Sequence, residues 1–260
     1  MKKFFNRFFR EKPVTKVITI SAIAVALATI IAVIAIIKPW SNSGFGGLQS
    51  QTPTDTDTAS PTEIKMLADM EELQTQNPDA VGWIKIEGTM VDYPVMFTPE
   101  DEWKYLYKGF DGNRDINGLP FIDADCSLDP ESDNIIIYGH HMKSGKMFSD
   151  LLKFETESFW KEHPTFTYKT LYEERTYEIV GAFRDRVYYV DEEVPFKFYQ
   201  FINAETQEDF DKAINHFKSK TPYDMNVKAE FGDKFITLVT CAYHHDYGRY
   251  VVVGRDITNK

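Results

Sequence analysis

The sequence has little cysteine: only Cys126 and Cys241 in 260 residues. That excludes the disulfide frameworks that hold small exported domains together. Metal-binding spacings are missing too. No Cys-x-x-Cys or His-Glu-x-x-His occurs, and four of the six histidines fall in two adjacent pairs, His140-His141 and His244-His245. Neighbours on a strand point to opposite faces, so each pair offers one ligand at most. No metal or other cofactor is expected. Positive charge is scarce beyond the N-terminal end. Residues 39–260 carry 22 Lys and Arg against 39 Asp and Glu, a net formal charge of −17. A phosphate-backbone partner is thereby excluded, and no nucleic acid is expected. Helical patterns between successive strands are also lacking, which excludes a doubly wound sheet.

One long apolar run is present. Val17–Ile37 is 21 residues without a charge, enough for a helix to cross a hydrocarbon core of about 30 Å. A cleaved signal peptide would have a shorter apolar region followed by small residues. This run ends instead in Ile36, Ile37, Lys38, Pro39 and Trp40, so an uncleaved anchor is expected. Six basic residues and one acid precede it, which puts the N-terminus in the cytoplasm and the remainder outside. The expected organisation is a basic cytoplasmic tail over 1–16, a transmembrane anchor over 17–37, a flexible extracellular linker over 38–61 and a folded domain over 62–260. The linker reading rests on the Ser, Thr, Gly, Asp and Pro of Ser41–Pro61.

The domain reads as mainly β. A helix is expected over 62–76, strands over 81–86, 91–96, 119–122, 134–138, 165–169, 175–183, 234–241 and 250–257, and an amphipathic helix over Thr206–Lys218. Glu100–Tyr107 and Lys146–Phe154 have short helical patterns. Many short strands with few helices point to a barrel.

Cys241 ends the strand Phe235-Ile236-Thr237-Leu238-Val239-Thr240. If the last two strands form a hairpin, Arg249 lies across its mouth from Cys241. A fixed cation favours a thiolate and steadies an oxyanion. The bland reading is a buried strand cysteine with a surface arginine. His140 follows an apolar strand and Gly139, a residue that gives room. An imidazole there can take the thiol proton and return it to a leaving amine. Four acids surround Cys126 (Asp123, Asp125, Asp129 and Glu131), which raises its pKa and makes it a poor nucleophile. His163 and His216 read as surface residues.

Three segments carry a resemblance. Thr237-Leu238-Val239-Thr240-Cys241, Gly248-Arg249-Tyr250-Val251-Val252-Val253 and Asn134-Ile135-Ile136-Ile137-Tyr138-Gly139-His140-His141-Met142 resemble, in that order, the nucleophile, arginine and histidine segments of the sortases. Asn77–Ile86, Tyr93-Pro94-Val95 and the helix over Thr206–Lys218 are most similar to class B. The resemblance implies an eight-stranded, mostly antiparallel β-barrel with N-terminal helices and an inserted helix. It implies a cysteine transpeptidase with Cys241 as nucleophile, His140 as general acid/base and Arg249 binding substrate and the oxyanion. Leu106 and Thr240 are implied substrate contacts. The implied partners are exported proteins with a C-terminal sorting signal, NPxTN-like rather than LPxTG, and a peptidoglycan precursor or other amine acceptor. The implied location is a Gram-positive cell membrane, with the catalytic domain outside. Val239 departs from the Ser that many class B members carry two residues before the nucleophile. A pilin-polymerising sortase, a cysteine hydrolase of cell-wall peptides and a non-catalytic binding module are the alternatives.

Overall fold

The computed structural model describes residues 65–189, 191–243 and 246–259. The expected tail, anchor and linker lie outside the described residues, as do His244 and His245. Among the described residues no helix is long and apolar enough to cross a membrane.

Eight strands close into a barrel. They are β1 (Ala80–Lys85), β2 (Asp92–Met96), β3 (Phe121–Ile122), β4 (Asn134–Tyr138), β5 (Thr165–Thr170), β6 (Glu174–Arg186), β7 (Phe235–Cys241) and β8 (Gly248–Asp256). Among the described residues three α-helices accompany them: α1 (Ala68–Gln76), α2 (Glu157–Glu162) and α3 (Gln207–Lys220). Around the barrel the order is β1-β2-β3-β4-β7-β8-β6-β5. Most neighbours are antiparallel; β2–β3 and β4–β7 are parallel.

Side-chain pattern explains the positions. β1 alternates between buried and partly exposed residues, as a strand with one face on the core should. All of Asn134–Ile137 and Phe235–Thr240 are buried. Such unbroken apolar runs suit a parallel pair covered on both faces. Asn134, buried within the run, is satisfied: its amide donates to Phe201 O at 2.7 Å and accepts from Thr237 Oγ1 at 2.8 Å.

The inserted helix appears as expected, two residues longer at its end. Thr206 caps it, its hydroxyl accepting from Asp209 N at 3.2 Å. Glu208 and Asp209 in the first turn, and Lys218 and Lys220 in the last, complement the helix dipole. Phe210, Ala213, Ile214 and Phe217 form its buried stripe. Phe217 stacks on Phe183 of β6 with ring centroids 5.9 Å apart. Each large apolar side chain buried this way stabilises the fold by about 1.5–3 kcal/mol.

Several expectations need correction. The helix expected over 62–76 begins, among the described residues, only at Ala68, because Leu67 is extended and its N–H donates to Leu171 O at 2.8 Å. Glu100–Tyr107 is not an α-helix but two 3-10 turns, Pro99–Asp101 and Lys104–Leu106. Tertiary bonds fix the second one. Asn77 Nδ2 donates to Tyr105 Oη at 2.9 Å, and Tyr105 Oη donates to Asp79 Oδ2 at 2.8 Å. Lys146–Phe154 likewise becomes a 3-10 helix over Ser149–Glu155. The strand expected over 119–122 is only Phe121–Ile122, because Leu119 N is already bonded to Tyr105 O at 3.0 Å.

Candidate active site

The barrel order places β7 between β4 and β8. Tyr138 of β4 pairs with Val239 of β7, and the ladder continues as Gly139 N–H donates to Val239 O at 3.0 Å. Carried one step further, this register brings His140 level with Cys241. On the other side Cys241 pairs with Arg249 of β8, as the expected hairpin requires. Arg249 faces Asp185 of β6. Residues level across a sheet share a face. Extended past the end of β4, the register thus sets His140 in one row with Cys241 and Arg249 at one barrel end, each half-buried.

Gly139 makes the row possible. A Cβ there would sit 2.5 Å from the Phe148 ring, so the strand reaches His140 only because residue 139 has no side chain. Phe148 N–H then holds the His140 carbonyl at 2.9 Å. Ser149 fastens the following loop: its hydroxyl accepts from Met142 N at 2.7 Å. His140 Nε2 lies 2.7 Å from the carbonyl of Leu106. A carbonyl only accepts, so Nε2 carries a hydrogen and donates it. Nδ1 is then the ring nitrogen left to exchange a proton. Tyr107 packs against the ring, centroids 5.4 Å apart.

Arg249 Nη1 donates to Gly248 O at 3.0 Å and to Tyr247 O at 3.3 Å. Tyr247 takes a left-handed backbone, φ 63°, uncommon for a bulky residue. Its carbonyl accepts from Val187 N as well, at 3.1 Å. Electrostatics tie the row to its surroundings. Tyr138 donates its hydroxyl to Asp123 Oδ2 at 2.9 Å. Burial first, then Asp123, raise its pKa well above the usual value, while Arg249 opposes them. Tyr243 is 79% exposed, yet its pKa is raised by local loss of water and then by Cys241, again against Arg249.

Leu106 meets the site through its backbone, in the contact to His140. Thr240 is 2% exposed, and its hydroxyl donates to Gly139 O at 2.8 Å, binding β7 to β4. Cys126 is free and buried. Burial, not charge, is the first reason its thiol is pushed up to about 12. Asp123, Asp125 and Glu102 add to it, against the Ile136 N–H; Asp129 and Glu131 do not figure. His216 is no surface residue: its Nε2 lies 2.9 Å from the buried carboxylate of Asp185.

A family model described as the Sortase domain matches residues 84–257. The chain belongs to the sortase family. Its similarity is to class B. It is 34% identical to Sortase B of Listeria monocytogenes over 195 residues, 73% of this chain and 74% of that protein. It is 27% identical to a Staphylococcus aureus sortase B–substrate complex, with TM-score 0.66, covering 75% of this chain and 87% of the other. A solved Sortase B complexed with triglycine is 28% identical, with TM-score 0.63, covering 73% and 86%. These relatives make this sortase a cysteine transpeptidase on the expected eight-stranded barrel.

Sequence reasoning on this sortase missed the groups that orient the row. The Leu106 carbonyl and the Tyr107 ring reach His140 from 34 and 33 positions away in sequence. Asp185, beside Arg249 in the sheet, was not singled out. No local pattern marks a backbone carbonyl or a strand neighbour of this kind.

Proposed function

We propose that this sortase is a membrane-anchored enzyme of the outer cell surface. It cleaves a C-terminal sorting signal, NPxTN-like, through a thioacyl intermediate on Cys241 and passes the acyl group to a cell-wall amine. The observation that carries this is the row itself: Cys241 pairs with Arg249, and the β4–β7 register, carried two residues past the end of β4, brings His140 level with Cys241. Cys241 Sγ gives its proton to His140 Nδ1 and attacks the carbonyl carbon of the scissile residue. Arg249 steadies the oxyanion. The C–N bond breaks, and His140 returns the proton to the departing amine. The acceptor amine then attacks the thioester and the C–S bond breaks. His140 takes the amine's proton and the thiol is restored.

Leu106 and Thr240 contact the signal; the Thr240 hydroxyl is already donated to Gly139 O. That one relative is solved with substrate and another with triglycine supports a peptide signal and an amine acceptor for this chain. The apolar run over 17–37 and its basic flank support the anchor and its orientation.

The test uses the full-length chain in detergent with NPxTN-like and LPxTG-like peptides, with and without triglycine. Mass spectrometry reads the adduct on Cys241 and the product. The expected result is a thioacyl adduct, formed from the NPxTN-like peptide, that triglycine resolves. Hydrolysed peptide alone, with no gain from the amine, would replace this reading by a hydrolase.

A further inference from the structure

His141 is a second imidazole beside the row, and the reaction above gives it no task. Its placement follows from where β4 leaves the sheet. Gly139 N–H donates to Val239 O at 3.0 Å. In an evenly spaced parallel ladder the next such rung is His141 N–H to Cys241 O. The chain turns away there and forms an isolated bridge with Met147 instead. The His141 ring takes over the rung: its Nδ1 lies 2.8 Å from the Cys241 carbonyl. The carbonyl only accepts, so Nδ1–H donates. Tyr243 packs against the same ring, centroids 5.3 Å apart.

The peptide held in this way reaches further. Its other end, Ala242 N–H, donates to Gly248 O at 3.0 Å. Gly248 O also accepts from Arg249 Nη1 at 3.0 Å. A single peptide unit therefore joins His141 to the carbonyl that holds the guanidinium.

We propose that His141 is a positioning residue for transpeptidation: its Nδ1–H fixes the Cys241–Ala242 peptide and, through the Gly248 carbonyl, sets Cys241 and Arg249 relative to each other. This rests on the roles given to Cys241 and Arg249 above. Small misplacements of reacting groups are costly in rate, and linked hydrogen bonds reinforce one another.

Two substitutions separate positioning from packing. His141→Phe keeps a flat ring against Tyr243 and removes the donor. His141→Asn keeps a donor nitrogen where Nδ1 stands. Both are assayed in the full-length chain beside Cys241→Ala, with an NPxTN-like peptide and triglycine, after thermal melting shows that they fold. His141→Phe is expected to lose about fivefold to tenfold in kcat, the worth of one hydrogen bond, with KM within about twofold. His141→Asn is expected to recover most of that loss. A second measurement needs no substrate. The pH profile of Cys241 alkylation by iodoacetamide should move upward in His141→Phe, because Arg249 sits less squarely beside the sulfur, and stay in place in His141→Asn. Wild-type rates in His141→Phe, equal losses in both variants, or a loss confined to KM would each overturn the proposal. If the wild type gives no amine-dependent product, the transpeptidase reading fails. The alkylation profiles then decide alone, and three coincident profiles would sink the role of His141.

Discussion

Cys126 and Cys241 are the same side chain in opposite settings. The Cys126 sulfur lies beneath the start of β4, 3.6 Å from Asn134 O and 3.4 Å from Ile136 N, with 5% of the residue exposed. It is shut from water, and its pKa is pushed up to about 12, first by that burial. Cys241 sits half-buried at a strand end, opposite a guanidinium, its carbonyl held by an imidazole. What separates an inert thiol from a candidate nucleophile is place: Cys126 lies in the loop between β3 and β4, packed against the sheet, and Cys241 ends β7. The interior supplies packing, and the rim supplies partners and an opening.

The largest expected effect breaks the pair apart. Cys241→Ala should abolish both the thioacyl adduct and amine-dependent product. Cys126→Ala should keep kcat within about twofold and cost about 0.5–3 kcal/mol of stability, read by urea denaturation. Next comes the cation. Arg249→Ala should lower kcat/KM by about 10²–10³-fold, the usual loss for one oxyanion donor, with the melting temperature nearly unchanged. A drop confined to stability would remove Arg249 from the chemistry.

A smaller effect lies in alkaline solution. The folded state keeps the Cys126 proton after the unfolded chain has lost it near the ordinary value of 9.0. Stability is therefore full below that value and falls as pH rises toward about 12. Unfolding measured against pH should show a steeper alkaline decline in the wild type than in Cys126→Ala. The smallest effect is acidic. Burial raises the Asp185 pKa, but His216, Tyr188, the Arg186 N–H and Lys220 outweigh it and hold it below the ordinary 3.8. Its contribution is complete above that value and is lost as pH falls through the folded one. Asp185→Asn should flatten the acid limb of the stability profile; an unchanged limb would show the pair with His216 to be inert.

Patterns confined to a few neighbouring residues were legible in the sequence. Asn134–Tyr138 ends where expected, because an apolar run bounded by Asp133 and Gly139 is decided locally. The last hairpin gave the Cys241–Arg249 pair for the same reason. Glu100–Tyr107 has helical spacing, but Tyr105 and Lys104 are committed to Asn77 and Asp79, and those distant bonds tighten the segment into 3-10 turns. Helix α2 was not foreseen, since six residues carry too little periodicity to register. β6 runs to Arg186, three residues past the expected end, because β8 continues to pair with it through Gly248. The row was legible as residue types. The contacts that aim it, Leu106 O to His140 and His141 to Cys241 O, join backbone to ring across gaps of 34 and 100 residues and leave no trace in spacing.

The parallel pairing of β4 with β7 has a consequence for how the molecule is made. Thr240 and Gly139 are 101 residues apart, and their strands touch only when β7 docks beside β4. Such distant pairings form slowly, since a large loop must close before any contact rewards it. A growing chain that stops before β7 has its histidine and lacks Cys241. One that stops before β8 leaves the barrel open along β7 and β6, two bare edges prone to sticking. Reactivity thus arrives with the last strand, in the same step that seals the barrel.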